Sequence, residues 1–82
     1  MKSNMFAEAI SNRNKVSFNY GLKELVIEPY YLSMDKYGKK VIYGKLNYSN
    51  EIRKFEYDKI YNLKVLELHH FSPIIPILPI YN

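Results

Sequence analysis

The chain has 82 residues, of which 12 are lysine or arginine and 8 are acidic, so its formal net charge is +4. This length accommodates one small domain with a single core, and the positive charge favours anionic partners without identifying them. The lack of cysteine excludes disulfides and thiolate metal sites and fits a reducing cytoplasm. The sequence shows no signal-peptide pattern, and no apolar run reaches the ~20 residues of a membrane helix.

A short amphipathic helix is predicted over residues 3–12. Its apolar stripe at helical spacing consists of Met5, Phe6, Ala9 and Ile10. The run Asn12-Arg13-Asn14 is typical of a helix end, because Asn tolerates the left-handed conformation there. So short a helix is marginal alone and must pack on another element.

From Lys15 onward the hydrophobic period changes to two, which is typical of β-strands. The predicted strands and extended segments, in chain order, are residues 16–20, 23–28, 30–34, 41–46, 52–57 and 63–68. Pro29 cannot donate to a ladder, so we expect it to end a strand or to lie at an edge. Gly38 supplies the positive φ of a tight hairpin. Together these elements predict a mostly β fold, a small closed or nearly closed barrel of about five strands with an N-terminal helix.

Two motifs, in this order, resemble the WYL domain. Ile27-Glu28-Pro29 is similar to the Val-Glu-Pro-like motif of that family, and the stretch from Arg53 to Ile60 is similar to its Arg-x-Phe-Arg-Leu-Asp-Arg-Ile motif. The resemblance covers roughly residues 5–68. The chain departs from the family at Lys40-Val41-Ile42, where the Trp-Tyr-Leu triplet is missing, and at Glu56, which replaces the middle Arg.

The resemblance implies an Sm-like or SH3-like barrel, to which we assign residues 1–70. The Pro/Ile-rich tail over residues 71–82 lies outside the resemblance. The resemblance also implies a regulatory module of bacterial transcription or defence systems. Such modules are proposed to bind nucleic acids or other negatively charged ligands through basic and aromatic side chains. We expect a non-enzymatic, cytoplasmic protein of this kind without a cofactor.

The expected ligand-binding surface consists of Arg53, Lys59, Tyr57, Tyr30, Lys54 and Lys40. Arg53 is expected to contact phosphate or another anion, with Lys59 in support. The two tyrosines are expected to stack on bases. Catalysis is not expected, because the spacing indicates no second carboxylate or base beside Glu28.

The same stretch also has a purely structural interpretation. Phe55 and Tyr57 can be core residues while Arg53 extends to solvent or pairs with Glu28 or Asp58. Glu28 is in turn a candidate ion-pair partner of Arg53 or Lys59. Glu56 weakens the anion-binding interpretation, because its carboxylate repels phosphate and can neutralise Lys54.

Other basic residues and the histidines are less informative. Four lysines surround the predicted hairpin, where they either contact a nucleic-acid backbone or simply solvate a turn; they are Lys36, Lys39, Lys40 and Lys45. His69 and His70 are adjacent, so on a strand they point to opposite faces and do not ligate one metal. We therefore expect no metal site.

The tail repeats proline every three residues, at positions 73, 76 and 79, which is the period of polyproline II. Its branched apolar residues would be an aggregation hazard in water. They therefore pack either on their own barrel or on a second copy or a partner protein. The second possibility makes the domain a protein-interaction or assembly module without a small ligand.

Overall fold

The computed structural model describes residues 2–74. Its elements are α1 (Lys2–Asn12), β1 (Asn14–Tyr20), β2 (Lys23–Met34), β3 (Lys40–Leu46), β4 (Ile52–Glu56), a 3-10 turn (Tyr57–Lys59) and β5 (Ile60–His70). The predicted mostly β fold with an N-terminal helix is therefore confirmed. Most of the predicted polyproline repeat lies outside the described residues. No helix among residues 2–74 is long and apolar enough to cross a membrane.

The five strands form one antiparallel sheet in the order β4-β3-β2-β1-β5. Phe18 on β1 and Phe55 on β4 pack edge to face with their ring centroids 5.4 Å apart, although two strands lie between them in the sheet. The sheet is therefore strongly curved around a single core. In the part that the structure describes, β4 and β5 do not pair with each other, and the 3-10 turn connects them.

Helix α1 closes one side of this core. Phe6, Ala9 and Ile10 are fully or almost fully buried, and burying a side chain such as Phe6 stabilises the fold by roughly 1.5–3 kcal/mol. Lys2 also ties the helix to the connection before β5, because its Nζ donates to the carbonyls of Tyr57 (2.6 Å) and Ile60 (3.1 Å). Tertiary packing thus supplies the stability that an 11-residue helix lacks alone.

Strand β2 continues through Pro29 instead of ending there. Pro29 lies opposite Gly44 on β3, and Tyr31 lies opposite Tyr43, so Tyr30 is one extra residue on β2. This register shift is a β-bulge, a position at which proline is tolerated inside a sheet. The strands approach closely here: a Cβ at Gly44 would lie 2.7 Å from Ile27 Cδ1 and 2.8 Å from the Glu28 carbonyl oxygen.

Two turns have the left-handed residue that such turns need. After α1 this residue is Arg13, with φ of 58°. The sequence predicts one of the neighbouring asparagines instead. The Arg13 guanidinium donates to the Ile10 carbonyl at 2.8 Å and so caps the helix end. In the β2–β3 hairpin, Gly38 has φ of 80°, as predicted.

Candidate ligand-binding surface

The two tyrosines that were expected to stack on bases are buried. Tyr30 is 0% exposed, and its ring is stacked on Phe71 with centroids 5.7 Å apart. Tyr57 is 9% exposed and packs on Phe6 at 5.6 Å. Burial raises the pKa of both tyrosine hydroxyls. Neither ring offers a free face, so the stacking role predicted for them does not fit this structure.

Glu28 forms a buried ion pair with Lys45. Their Oε2 and Nζ atoms are 3.5 Å apart, and both side chains are about nine-tenths buried. The Tyr30 hydroxyl donates to the other carboxylate oxygen at 3.4 Å, and Lys45 Nζ donates to the carbonyls of Leu46 and Ser49. The partner of Glu28 is therefore neither Arg53 nor Lys59, the two that the sequence suggested. Lys45 belongs to this pair and not to a basic surface at the hairpin.

Arg53 and Lys54 lie on opposite faces of β4. Arg53 is on the face of Phe55, a core residue, and its Cζ lies 5.1 Å from the centroid of that ring. Lys54 is exposed and lies opposite Tyr43 on β3. The expected surface that included both cations is therefore split between two faces of the sheet.

The remaining expected cations are exposed, and two acids near them are in surface ion pairs. Lys59 Nζ lies 3.4 Å from Glu56 Oε2, so Glu56 is paired with Lys59 and not with the lysine two positions before it. Asp58 lies 4.0 Å from Lys39. Exposed pairs of this kind contribute only about 0–1 kcal/mol. Lys40 is exposed at the start of β3.

A different group of side chains combines exposed aromatic rings with positive charge. Tyr31, Tyr43 and Lys54 are cross-strand neighbours on β2, β3 and β4, and we call them the tyrosine–lysine row. The two rings are stacked with centroids 4.9 Å apart and an interplanar angle of 22°. Both tyrosines are partly exposed and the lysine is exposed.

The row faces away from the core. Ile42 and Phe55, which precede and follow row residues in their strands, are fully buried in the core, and neighbouring residues of a strand point to opposite faces. Tyr31 was not predicted as a site residue. Only the bulge, which inserts Tyr30, brings Tyr31 opposite Tyr43.

The hairpin between β2 and β3 adds positive charge beside the row. A hydrogen bond from the Lys39 amide holds the pKa of the Asp35 carboxyl below its usual value, and the charge of Lys54 lowers this pKa further. Lys36 and Lys39 are exposed in the same turn, which joins the two strands that carry Tyr31 and Tyr43.

Elsewhere in residues 2–74 the structure has little that suggests an anion or metal site. An open depression of about 340 Å³ lies between α1 and β5, and its lining includes Glu8, Glu67 and His70. Its two carboxylates oppose an anionic ligand. Within the same range no three His, Asp or Glu side chains come together in a way that would hold a metal ion.

Comparison with known proteins supports the fold. No family model matches the chain, and no curated protein matches it. Among solved structures it is similar to the proteasome accessory factor B/C (PafBC) of Arthrobacter aurescens, with a TM-score of 0.77 and 18% sequence identity. The match covers 87% of this chain and only 12% of that chain. PafBC contains a WYL domain, so the likeness supports a WYL-like fold, in agreement with the sequence motifs.

Proposed function

We propose that this domain is a WYL-like regulatory module that binds a negatively charged ligand with stackable rings, such as single-stranded nucleic acid or a nucleotide. The observation that carries the proposal is the tyrosine–lysine row, a stacked and partly exposed ring pair beside an exposed lysine. Rings of this kind stack on bases, and lysines neutralise phosphates. The WYL-like fold supports the regulatory class, with transcription or a defence system as the regulated process.

The proposed role is binding and not catalysis. Glu28 is the most buried carboxylate of the described chain, and the Lys45 ammonium and the Tyr30 hydroxyl both contact it. A carboxylate held in this way is not free to exchange a proton with a substrate, as a general acid or base must.

Rough magnitudes favour weak, salt-sensitive binding. Stacking contributes about 1–3 kcal/mol per base. If Lys54, Lys36 and Lys39 each neutralise one phosphate of a single strand, log K should fall with log salt concentration with a slope of about −2. Asp58, which lies 4.0 Å from Lys39 Nζ, and Asp35 in the same turn reduce the net positive potential around these lysines. Binding should therefore be measured at low ionic strength.

The choice of face is tested by two adjacent substitutions. Fluorescence anisotropy with a labelled oligothymidine is measured for the wild-type chain, for Lys54→Ala and for Arg53→Ala. We expect Lys54→Ala to weaken binding and to reduce the salt slope by about 0.7, whereas Arg53→Ala retains the slope. Lys23→Ala, an exposed residue at the far end of β2, is the control.

The opposite result would place the ligand on the other face of β4. If Arg53→Ala weakens binding and Lys54→Ala does not, the ligand contacts Arg53 on the opposite face of β4. If the wild-type chain does not bind single-stranded DNA or RNA at low salt, the proposed function is wrong.

A second candidate function is a protein-interaction or assembly module, with the C-terminal tail as the adhesive segment. One observation favours it: Ile74 remains 51% exposed and Leu68 on the edge strand β5 is 91% exposed. Truncation after Ile74 separates the two candidates. An assembly module would change from oligomer to monomer in sedimentation, whereas a ligand-binding module would keep its oligomeric state.

A further inference from the structure

The first residues of the tail pack on the domain itself. We call residues 71–74 the strap. The Phe71 amide donates to the Arg13 carbonyl at 3.0 Å, and the Phe71 ring is nearly parallel to that of Tyr30, with an interplanar angle of 4°. The Ile74 amide donates to the Tyr30 hydroxyl at 2.9 Å. Tyr30 therefore holds the strap with both its ring and its hydroxyl.

Tyr30 also connects the strap to the buried ion pair. Its hydroxyl accepts from Ile74 and donates to Glu28 Oε1. Glu28 pairs with Lys45, whose Nζ donates to the Ser49 carbonyl at 2.7 Å in the β3–β4 turn. One continuous set of polar contacts thus runs from the strap through β2 to the turn between β3 and β4.

The bulge brings this set of contacts next to the tyrosine–lysine row. Tyr30 is the extra residue of the bulge, and Tyr31, which follows it directly, is a member of the row. Bulges re-aim side chains and increase local twist. The backbone orientation at the bulge therefore sets the directions of both tyrosines, and a contact that fixes Tyr30 also restricts Tyr31.

We propose that the strap regulates the ligand surface through this bulge. The docked strap fixes Tyr30 and orients Tyr31 for stacking, and a bound ligand in turn strengthens the docking of the strap. This inference rests on the proposed function. Because coupling between two binding equilibria is reciprocal, each event should favour the other by the same factor, and couplings of this kind are commonly about 5–150-fold.

The substitution that tests the coupling is Tyr30→Phe. It retains the ring that stacks on Phe71 and removes the hydroxyl that accepts from the Ile74 amide. We expect the affinity for labelled oligothymidine to fall by about fivefold or more, although Tyr30 is itself fully buried and cannot touch the ligand. Tyr48→Phe, which removes the hydroxyl of a tyrosine that is 75% exposed, is the matched control and should bind as the wild type does.

Amide hydrogen exchange at Ile74 measures the same coupling from the other side. Saturating oligothymidine should slow exchange of this amide in the wild-type chain by a similar factor. If the oligonucleotide binds, but Tyr30→Phe binds equally well and Ile74 exchange is unchanged, the coupling is wrong and the proposed function stands. Tighter binding by Tyr30→Phe would also overturn the coupling, because the strap would then oppose the ligand. Absence of binding to the wild type overturns both.

Discussion

Tyr30 and Tyr31 are consecutive in the sequence, but only Tyr31 reaches solvent. Tyr30 is enclosed by Phe71 and Glu28, whereas Tyr31 stacks on Tyr43 at the surface. The difference arises from one register shift on β2. At the scale of single residues, the bulge therefore determines which of the two tyrosines belongs to the candidate surface.

The buried pair of Glu28 and Lys45 shows the same dependence on local context. Both groups are charged and both are almost fully buried, so each needs the other to offset its loss of hydration. A pair of this type contributes little net stability compared with apolar residues, but removal of one partner leaves an uncompensated charge. Its contacts with Tyr30 and Ser49 connect β2 to the turn between β3 and β4.

The buried hydroxyl of Tyr57 predicts a loss of stability at alkaline pH. Burial raises the pKa of this group above its ordinary value of 10.0, so the folded chain keeps the proton after the unfolded chain has lost it. The free energy of unfolding should therefore be unaffected by this group below about pH 10 and should decrease as the pH rises further.

Urea unfolding of Tyr57→Phe at neutral pH and near pH 11 checks this prediction. The variant keeps the ring and has no proton to lose, so its stability should decrease less than that of the wild type. Tyr48→Phe is the control because its side chain is exposed. An equal alkaline loss in the wild type and in Tyr57→Phe would contradict the assignment.

At the scale of elements, close contact between β2 and β3 depends on Gly44. A Cβ at this position would meet both the Ile27 side chain and the Glu28 backbone. We expect Gly44→Ala to lower the free energy of unfolding by about 1–3 kcal/mol, because the strands must move apart to accept the methyl group. Denaturant unfolding gives the value directly.

A second substitution separates the two contacts. Ile27→Val removes the Cδ1 atom, which would lie 2.7 Å from a Cβ at Gly44, but it leaves the Glu28 carbonyl oxygen at 2.8 Å. In the double variant, the penalty of Gly44→Ala should therefore decrease without disappearing. A Gly44→Ala variant as stable as the wild type would show that the strands separate without cost.

The elements themselves were largely predictable from the sequence, and their register was not. Alternating hydrophobicity predicted β1, β3 and β4 to within two residues of their observed bounds. The bulge at Pro29 was not predictable. Alternation over residues 23–28 and 30–34 does not show that the register of pairing with β3 shifts by one residue between these two segments. The misassignment of Tyr30 as a surface residue and the omission of Tyr31 both follow from it.

The identities of the ion-pair partners were unpredictable for a related reason. Lys45 lies beside Glu28 only because β2 and β3 pair in one particular register. In the sequence it is one of several lysines around a hairpin, and its burial depends on contacts with the Leu46 and Ser49 carbonyls. The role of Phe55 as a core residue beside Arg53 was, by contrast, one of the two interpretations that alternation allowed.

At the scale of the whole molecule, the curved sheet has a side that faces the core and an outer side. The helix covers the core with Phe6, Ala9 and Ile10, and the strap covers Tyr30. The outer side of β2, β3 and β4 retains the exposed tyrosine–lysine row. Under the proposed function, a single-stranded ligand would lie across the strands on this face.

The central claim, that the ligand lies on this face, is tested most directly by nuclear magnetic resonance. A ¹⁵N-labelled chain is titrated with oligothymidine at low salt, and the amide shifts are mapped on the structure. We predict that the largest changes occur at Tyr31, Tyr43 and Lys54, with little change at Leu22, in the turn before β2. Absence of any change, or changes confined to Arg53 and its neighbours on the core side, would contradict the claim.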